Sequence, residues 1–181
     1  MQCRPVWESK HEPCAAETSR TGRLQLGISN RAPKSADDPT PTGSTDGKYA
    51  DKVGNPTFKI DKDGTVDWYT DIGYLQYGAN CLQCHGPDGL GSSYAPSLVD
   101  ALKSMDYNQF LTIVAGGKRA VNTAQDLVMP ALGTNKNVMC NIDAIYVYLR
   151  ARADGALGRD RPAKHADKPA DFDKTEDSCL D

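Results

Sequence analysis

Cys81-Leu82-Gln83-Cys84-His85, running at once into Gly86-Pro87-Asp88-Gly89-Leu90-Gly91, is the stretch on which the reading turns. Two thiols three positions apart, with an imidazole directly after the second, form the pattern of covalent haem attachment. On the first turn of a helix, positions i and i+3 project from one face, so both sulfurs reach the two vinyl groups of one porphyrin. The next residue then turns its ring toward the iron. Cys81 and Cys84 are the candidate attachment residues and His85 the candidate axial ligand. A structural zinc site wants four ligands, usually from a second Cys or His pair, and Cys3, Cys14, Cys140 and Cys179 offer no second CxxC. A thioredoxin-like dithiol belongs to a βαβ pattern, which the sequence does not show.

A chain of 181 residues suits one domain with a single core plus extensions. The net charge of -3 and a pI near 5.6 leave no basic footprint for nucleic acid. Between Gly73 and Arg150 acids and bases balance, while Pro-, Asp- and Lys-rich arms on either side carry the remaining charge. Such arms bury too little apolar surface to order themselves unaided. No stretch approaches about 18 consecutive apolar residues, so no membrane span is expected. Haem on a CxxCH pair implies maturation across the bacterial inner membrane, hence export. Residues 1–30 nevertheless show no charged start, apolar run and small-residue cleavage site. The expectation is a misassigned start or a non-native leader, with no function for Cys3 or Cys14.

Taken in order, residues 1–50 read as a leader and linker without ordered structure, punctuated by Ala32-Pro33, Asp38-Pro39-Thr40-Pro41 and Gly43-Ser44. Residues 51–70 read as a hairpin arm, with Phe58-Lys59-Ile60 and Val66-Asp67-Trp68 on either side of Asp63-Gly64. The acids Asp61, Asp63 and Asp67 invite a calcium reading, but the glycine stands fourth rather than sixth as in an EF-hand loop. A turn is expected there, with Trp68 anchoring the arm to the core. From Asp71 a helix places Gly73, Tyr77 and Cys81 on one face. Gly86, Gly89 and Gly91 permit a tight irregular chain. Their spacing is wrong for a phosphate loop. A second helix takes Ser104 or Asp106 as its cap, turns Phe110, Ile113 and Val114 inward, and stops at Gly116-Gly117. A loop then runs from Lys118 to Val138. The last helix takes Asn141 as its cap, carries Asp143 in its first turn, and turns Ile145, Tyr148 and Leu149 inward as far as Ala153. Residues 71–153 thus form an all-α domain, and residues 154–181 an extended or mobile tail.

The ligand opposite His85 decides the chemistry, because a thioether there makes the iron six-coordinate and raises its potential. Three methionines come after the motif. Met105 is twenty residues past His85 at a helix start, badly placed to reach the far face. Met139 stands at the entry to the last helix. Met129 lies in a loop that Pro130 stiffens, and is the first choice, with Met139 second. A neutral axial imidazole donates its other N–H to an orienting acceptor, and the carbonyl of Pro96, eleven residues on, is the candidate. His11 and His165 lie in polar arms and read as solvated surface residues.

With Gly73, Tyr77, Cys81, Cys84, His85, Pro96, Met129-Pro130 and Tyr148-Leu149 in hand, residues 71–153 resemble a class I cytochrome c. The resemblance implies that fold, with the first helix crossing the last where Gly73 comes close to Ile145, and haem c in a crevice with one edge exposed. Asp88 to Pro96, Val128-Met129-Pro130, Asn135 to Cys140 and Tyr146 to Arg152 are further similar to cytochromes of the c-L type. These are periplasmic electron acceptors for PQQ-dependent methanol and related alcohol dehydrogenases. The chain most resembles a methanol-metabolism-related branch with two cysteines beyond the haem pair, which would be Cys140 and Cys179 here. Bridged, they would close a loop of about 40 residues, stabilising by roughly 4 kcal/mol on the chain-entropy model. A free Cys179 in a mobile terminus is the alternative.

The resemblance implies a monomeric one-haem electron carrier rather than an enzyme, taking single electrons from a quinoprotein alcohol dehydrogenase and passing them to a downstream cytochrome or oxidase. Lys118, Arg119 and Lys136 could steer an acidic partner, or could simply be a solvated charged loop. The competing reading is a haem enzyme or sensor with an open iron site. A zinc or non-haem redox module is the third.

Overall fold

A computed structural model of the chain describes residues 38–121 and 126–181. The expectations for Cys3, His11 and Cys14 lie outside these residues. The first elements among the described residues are strands. β1 (Gly43–Thr45), β2 (Lys48–Ala50) and β3 (Pro56–Thr57) form an antiparallel sheet in that order. Asp46 and Gly47 link the first two with φ of 50° and 77°. Both central residues of a two-residue type I′ turn need φ above zero, and Asp-Gly supplies them. The sheet therefore starts inside the stretch expected to be linker, and ahead of the expected hairpin. That hairpin reduces to one antiparallel bridge, Ile60 to Val66. Asp63 turns the chain by accepting from the Thr65 amide and hydroxyl.

Asp67 then caps a helix rather than continuing a strand. Its carboxylate accepts from Thr70 N at 2.9 Å and Thr70 Oγ1 at 2.6 Å, which satisfies donors that have no partner inside the helix. The helix so begun is α1 (Trp68–Asn80), succeeded by the single turns α2 (Leu82–His85) and α3 (Leu98–Ala101). α4 (Tyr107–Gly116) opens on a full capping box between Asp106 and Gln109. The expected loop from Lys118 to Val138 instead holds a strand pair, β4 (Lys118–Val121) with β5 (Asp126–Met129), and α5 (Lys136–Cys140). α6 (Ile142–Ala153) comes next. Asn141 stands at its N-cap position, its carbonyl accepting from Ile145 N at 3.0 Å, but its side chain makes no capping bond. It donates its side-chain amide to the Asn137 carbonyl, while Asn135 caps α5.

α6 is the axis of the core. Ile145, Tyr148, Leu149 and Ala151 are at most 1% exposed, and α1 lies across it. Gly73 makes that crossing possible: a Cβ there would stand 2.0 Å from the Ala144 carbonyl oxygen and 2.8 Å from Tyr148 Cβ. The close approach falls on Ala144 and Tyr148 rather than on Ile145. Tyr77 from α1, Phe110 and Val114 from α4, Leu102 and Val138 join α6 in the main cluster.

The expected extended tail ends in a helix, α7 (Phe172–Leu180). Phe172 packs against Trp68 and Tyr69, and the Cys140–Cys179 disulfide ties α7 to α5. Lys136 Nζ adds bonds to the carbonyls of Leu180 and Asp181 at 2.9 and 2.7 Å. This occupies one of the three cations expected to steer a partner. Trp68 meets the tail, edge-on to the His165 ring as well. The exposed His165 also joins a bridge to Val66. The architecture is mostly helical with short strands, and among the described residues no helix is long and apolar enough to cross a membrane.

Candidate haem site

Cys81 stands where α1 stops. Its amide still donates to Tyr77 O at 2.8 Å, but its φ of -120° breaks the helix, and its own carbonyl then accepts from Cys84 N and His85 N. The new turn puts both cysteines and the histidine on a rigid start rather than a loose loop. Cys81 packs half-buried against the main core, Cys84 is exposed, and neither is in a disulfide. Burial, with Cys84 alongside, pushes the Cys81 thiol up to about 11. Such a thiol is neutral at pH 7, unlike the lowered thiols of redox dithiols. Among the described residues no group of three or more His, Cys, Asp or Glu side chains could hold a metal ion.

His85 is 7% exposed, and its Nδ1 lies 2.9 Å from the Pro96 carbonyl oxygen. A carbonyl only accepts, so Nδ1 carries the proton and the Nε2 lone pair is left for another partner. The loop between them is bent to make this contact. Gly91 N returns to His85 O at 2.9 Å, and Gly91 has a φ of 88° and no room for a Cβ, which would meet Ser97 N at 2.7 Å. The Tyr77 hydroxyl donates to the Gly86 carbonyl, pinning the loop's start to α1. Burial raises the Tyr77 hydroxyl's pKa far above the usual tyrosine value, so this donor keeps its proton throughout the physiological range.

The three methionines part company. Met129 ends β5 opposite Lys118 and lies partly buried against the main core. Gly117 closes the other side, since a Cβ there would stand 2.7 Å from the Met129 carbonyl oxygen. Met105 also touches the main core, from the start of α4, and opens onto a surface groove beside Ile113 and Lys118. Met139 instead lines a groove under α7 with Tyr69, Phe172 and Cys179. The structure thus joins His85 to Pro96 and sets Cys81 and Met129 on one core, with Met139 turned to the tail. The donor set, two thiols three residues apart and one imidazole with an open Nε2, fits a covalently held haem.

Sequence alone does not single out Asp88 and Arg152. Asp88 is 5% exposed and Arg152 8%; both fall in stretches that carry the c-L resemblance, but nothing in those stretches pairs an arginine on the last turn of α6 with Asp88.

No family model matches the chain. A solved structure of c-type cytochrome XoxG from Methylobacterium extorquens AM1 is similar, with 53% identity and a TM-score of 0.72 over 78% of this chain and 86% of that one. The chain belongs to the c-type cytochromes. This cytochrome is also 53% identical over 143 residues to cytochrome c-553I of Paracoccus denitrificans, covering 79% of this chain and 63% of that protein. It therefore spans less than two thirds of that relative's length. Cytochrome c-555 of Methylococcus capsulatus (strain Bath) is 35% identical over 105 residues, 58% of this chain and 76% of that one. Membership implies one covalently bound haem c, and proteins of this family are electron carriers rather than enzymes. Four of the exposed large apolar side chains of this cytochrome stand beside the candidate site in sequence: Leu82, Leu90, Tyr94 and Val128, at 39%, 46%, 74% and 60% exposure.

Proposed function

We propose that this cytochrome, a class I fold over residues 71–153, is a monomeric periplasmic carrier of single electrons between a quinoprotein alcohol dehydrogenase and a downstream cytochrome or oxidase. The observation that carries the reading is the His85 ring, buried and held by Nδ1 against the Pro96 carbonyl with Nε2 left open. Cys81 and Cys84 would hold the haem through thioether bonds, and His85 and Met129 would be the protein's ligands to its iron. The bound iron supplies a one-electron ferric–ferrous couple. The protein's part is to fix both ligands and to keep small molecules off the iron. With both side chains bound to it, the iron would have no place for a substrate, which is what a carrier rather than an enzyme or sensor requires.

The alcohol dehydrogenase partner is supported by the c-L-like motifs and by the likeness to cytochrome XoxG. Leu82, Leu90, Tyr94 and Val128 supply the apolar contact surface a brief electron-transfer complex needs, and such complexes bury less than about 1,200 Å2 in total. Lys118 and Arg119 stand on the strand paired with Val128 and would add positive charge beside an acidic partner, and Lys136 is bonded to the main-chain oxygens of Leu180 and Asp181.

The test is a pyridine haemochrome spectrum, a carbon monoxide titration of the reduced protein, and the same titration of Met129→Ala. The expected result is haem that resists acid-acetone extraction, no carbon monoxide binding in the parent, and binding in the variant. Carbon monoxide binding by the parent would favour the open-site enzyme or sensor, and an unchanged Met129→Ala would remove Met129 as ligand. Stopped-flow reduction by calcium- and lanthanide-dependent quinoprotein dehydrogenases then identifies the donor.

A further inference from the structure

A second buried polar cluster lies behind the loop that joins His85 to Pro96. Arg152, on the last turn of α6, donates Nη1 to the Leu157 carbonyl at 3.0 Å and Nη2 to the Asp88 carbonyl at 3.2 Å. The buried Tyr148 hydroxyl one turn back lies beside this guanidinium, while the bonds of good geometry that the guanidinium makes here are the two to main-chain carbonyls. The Asp88 carboxylate reaches past Arg152 to Arg159, whose side chain is 70% exposed. The adjoining Gly89 carries the grip across the loop: its carbonyl accepts from Leu98 N at 2.8 Å and Val99 N at 3.1 Å. Gly89 also rests on α6, since a Cβ there would stand 3.2 Å from Leu149 Cδ2. Just before Ser97 and Leu98 comes Pro96, whose carbonyl holds the His85 ring.

We infer that Arg152 is a positioning residue for the axial imidazole. Its guanidinium forks between two main-chain carbonyls, bolts Asp88 to the end of the central helix, and so fixes the loop that presents Pro96 to His85. A basic residue at a helix C-terminus can also serve only to complement the dipole. The geometry here asks for more, because a lone positive charge would not need two acceptors from separate segments. The fork is what arginine offers and lysine does not. The inference rests on His85 being an axial ligand.

The test compares holoprotein of the parent with Arg152→Lys, Arg152→Gln and Arg159→Gln. Three readouts are taken: amide hydrogen exchange at Gly91, Leu98 and Val99, the spread of the haem methyl resonances in the ferric protein, and the midpoint potential. The methyl spread reports the plane of the axial ring, which a merely weaker fold would not rotate. Both Arg152 variants are expected to speed exchange at the three amides at least about tenfold, the signature of a local opening, and to change the methyl spread together. Arg159→Gln is expected to stay within about threefold of the parent, as an ion pair with one exposed partner contributes little. A lysine variant that behaves like the parent while the glutamine variant shifts would overturn the inference in favour of charge alone. Unchanged exchange and methyl spread in both would overturn it outright. If Arg152→Gln does not accumulate, Arg152→Lys decides by itself. A parent spectrum without imidazole ligation would instead sink the electron-carrier function, so the two failures are distinct.

Discussion

Replacing Gly73 by alanine tests the helix crossing on which the core is built. The added Cβ would stand 2.0 Å from the Ala144 carbonyl oxygen, 2.7 Å from its carbon and 2.8 Å from Tyr148 Cβ. Two of these atoms are backbone and the third is a Cβ, so none can rotate aside, and α1 must lift from α6. Overpacking of this kind costs about 1–3 kcal/mol, and so hard a contact belongs at or above the upper end. Alanine's better helix propensity returns up to about 1 kcal/mol. The net loss is about 2 kcal/mol, or about 4–8 °C in Tm for a chain of this size. Gly78 is the matched control on the same helix, with nothing within 4 Å of its Cβ position. Gly78→Ala should stabilise by about 0.5–1 kcal/mol. Thermal and urea unfolding of the two holoproteins, monitored by circular dichroism, would show shifts of opposite sign. Gly73→Ala melting with or above Gly78→Ala would refute the crossing.

Cys140→Ser with Cys179→Ser should cost up to about 4 kcal/mol on the chain-entropy model, read as an earlier urea midpoint and earlier proteolysis within α7. Asp106→Ala removes one half of the capping box at α4, and should cost about 1 kcal/mol in the same urea assay. Asp88 gives a pH prediction. Burial lifts its carboxyl, but the Arg159 hydrogen bond, the Leu90 amide and the charges of Arg159 and Arg152 outweigh that and hold it below the ordinary value. A lowered folded pKa stabilises above the unfolded value of about 3.9, and that stability is lost as the pH falls through the folded value. Arg159→Gln should therefore flatten the stability curve below about pH 4, measured by urea unfolding across a pH series. The variant should be slightly less stable than the parent at pH 7, by a small amount because the Arg159 side chain is 70% exposed. The difference should disappear at low pH, where the Asp88 carboxyl is protonated.

The parts of the fold legible in the sequence are those set by local chemistry. Asp106 announces α4 because its side chain and that of Gln109 satisfy each other's backbone partners. Gly116-Gly117 ends that helix because Gly117 adopts a φ of 74°. Asp46-Gly47 is an equally local signal, but the strands flanking it are only three residues each, too short to stand out from a linker. Leu127, Val128 and Met129 do alternate between half-buried and exposed, yet the run is too short to outweigh a loop reading. α6 is a different case. Periodicity singles out an inward face, whereas sheet, loop and tail wrap the helix so that nearly every residue from Ile142 to Ala153 is buried. Arg150 and Arg152 cannot be placed inside from periodicity alone. At the candidate site, the His85–Pro96 pair is readable because the chain itself supplies both partners eleven residues apart. The grip on the loop between them is not, because it comes from a helix more than sixty residues downstream.

Arg150, two residues before that grip, is wholly buried and meets the carboxylate of Asp51 at 3.0 Å and the Pro56 carbonyl at 3.1 Å. Its counter-charge thus comes from the turn between β2 and β3, outside the helical segment that carries the thiols and the imidazole. Cut away the strands and the central helix would lose the carboxylate that neutralises this cation together with part of the cover over it. The sheet is therefore less an ornament on a self-sufficient helical unit than the missing half of its electrostatics, and a shortened version starting at the first helix should be designed with a neutral residue at that position.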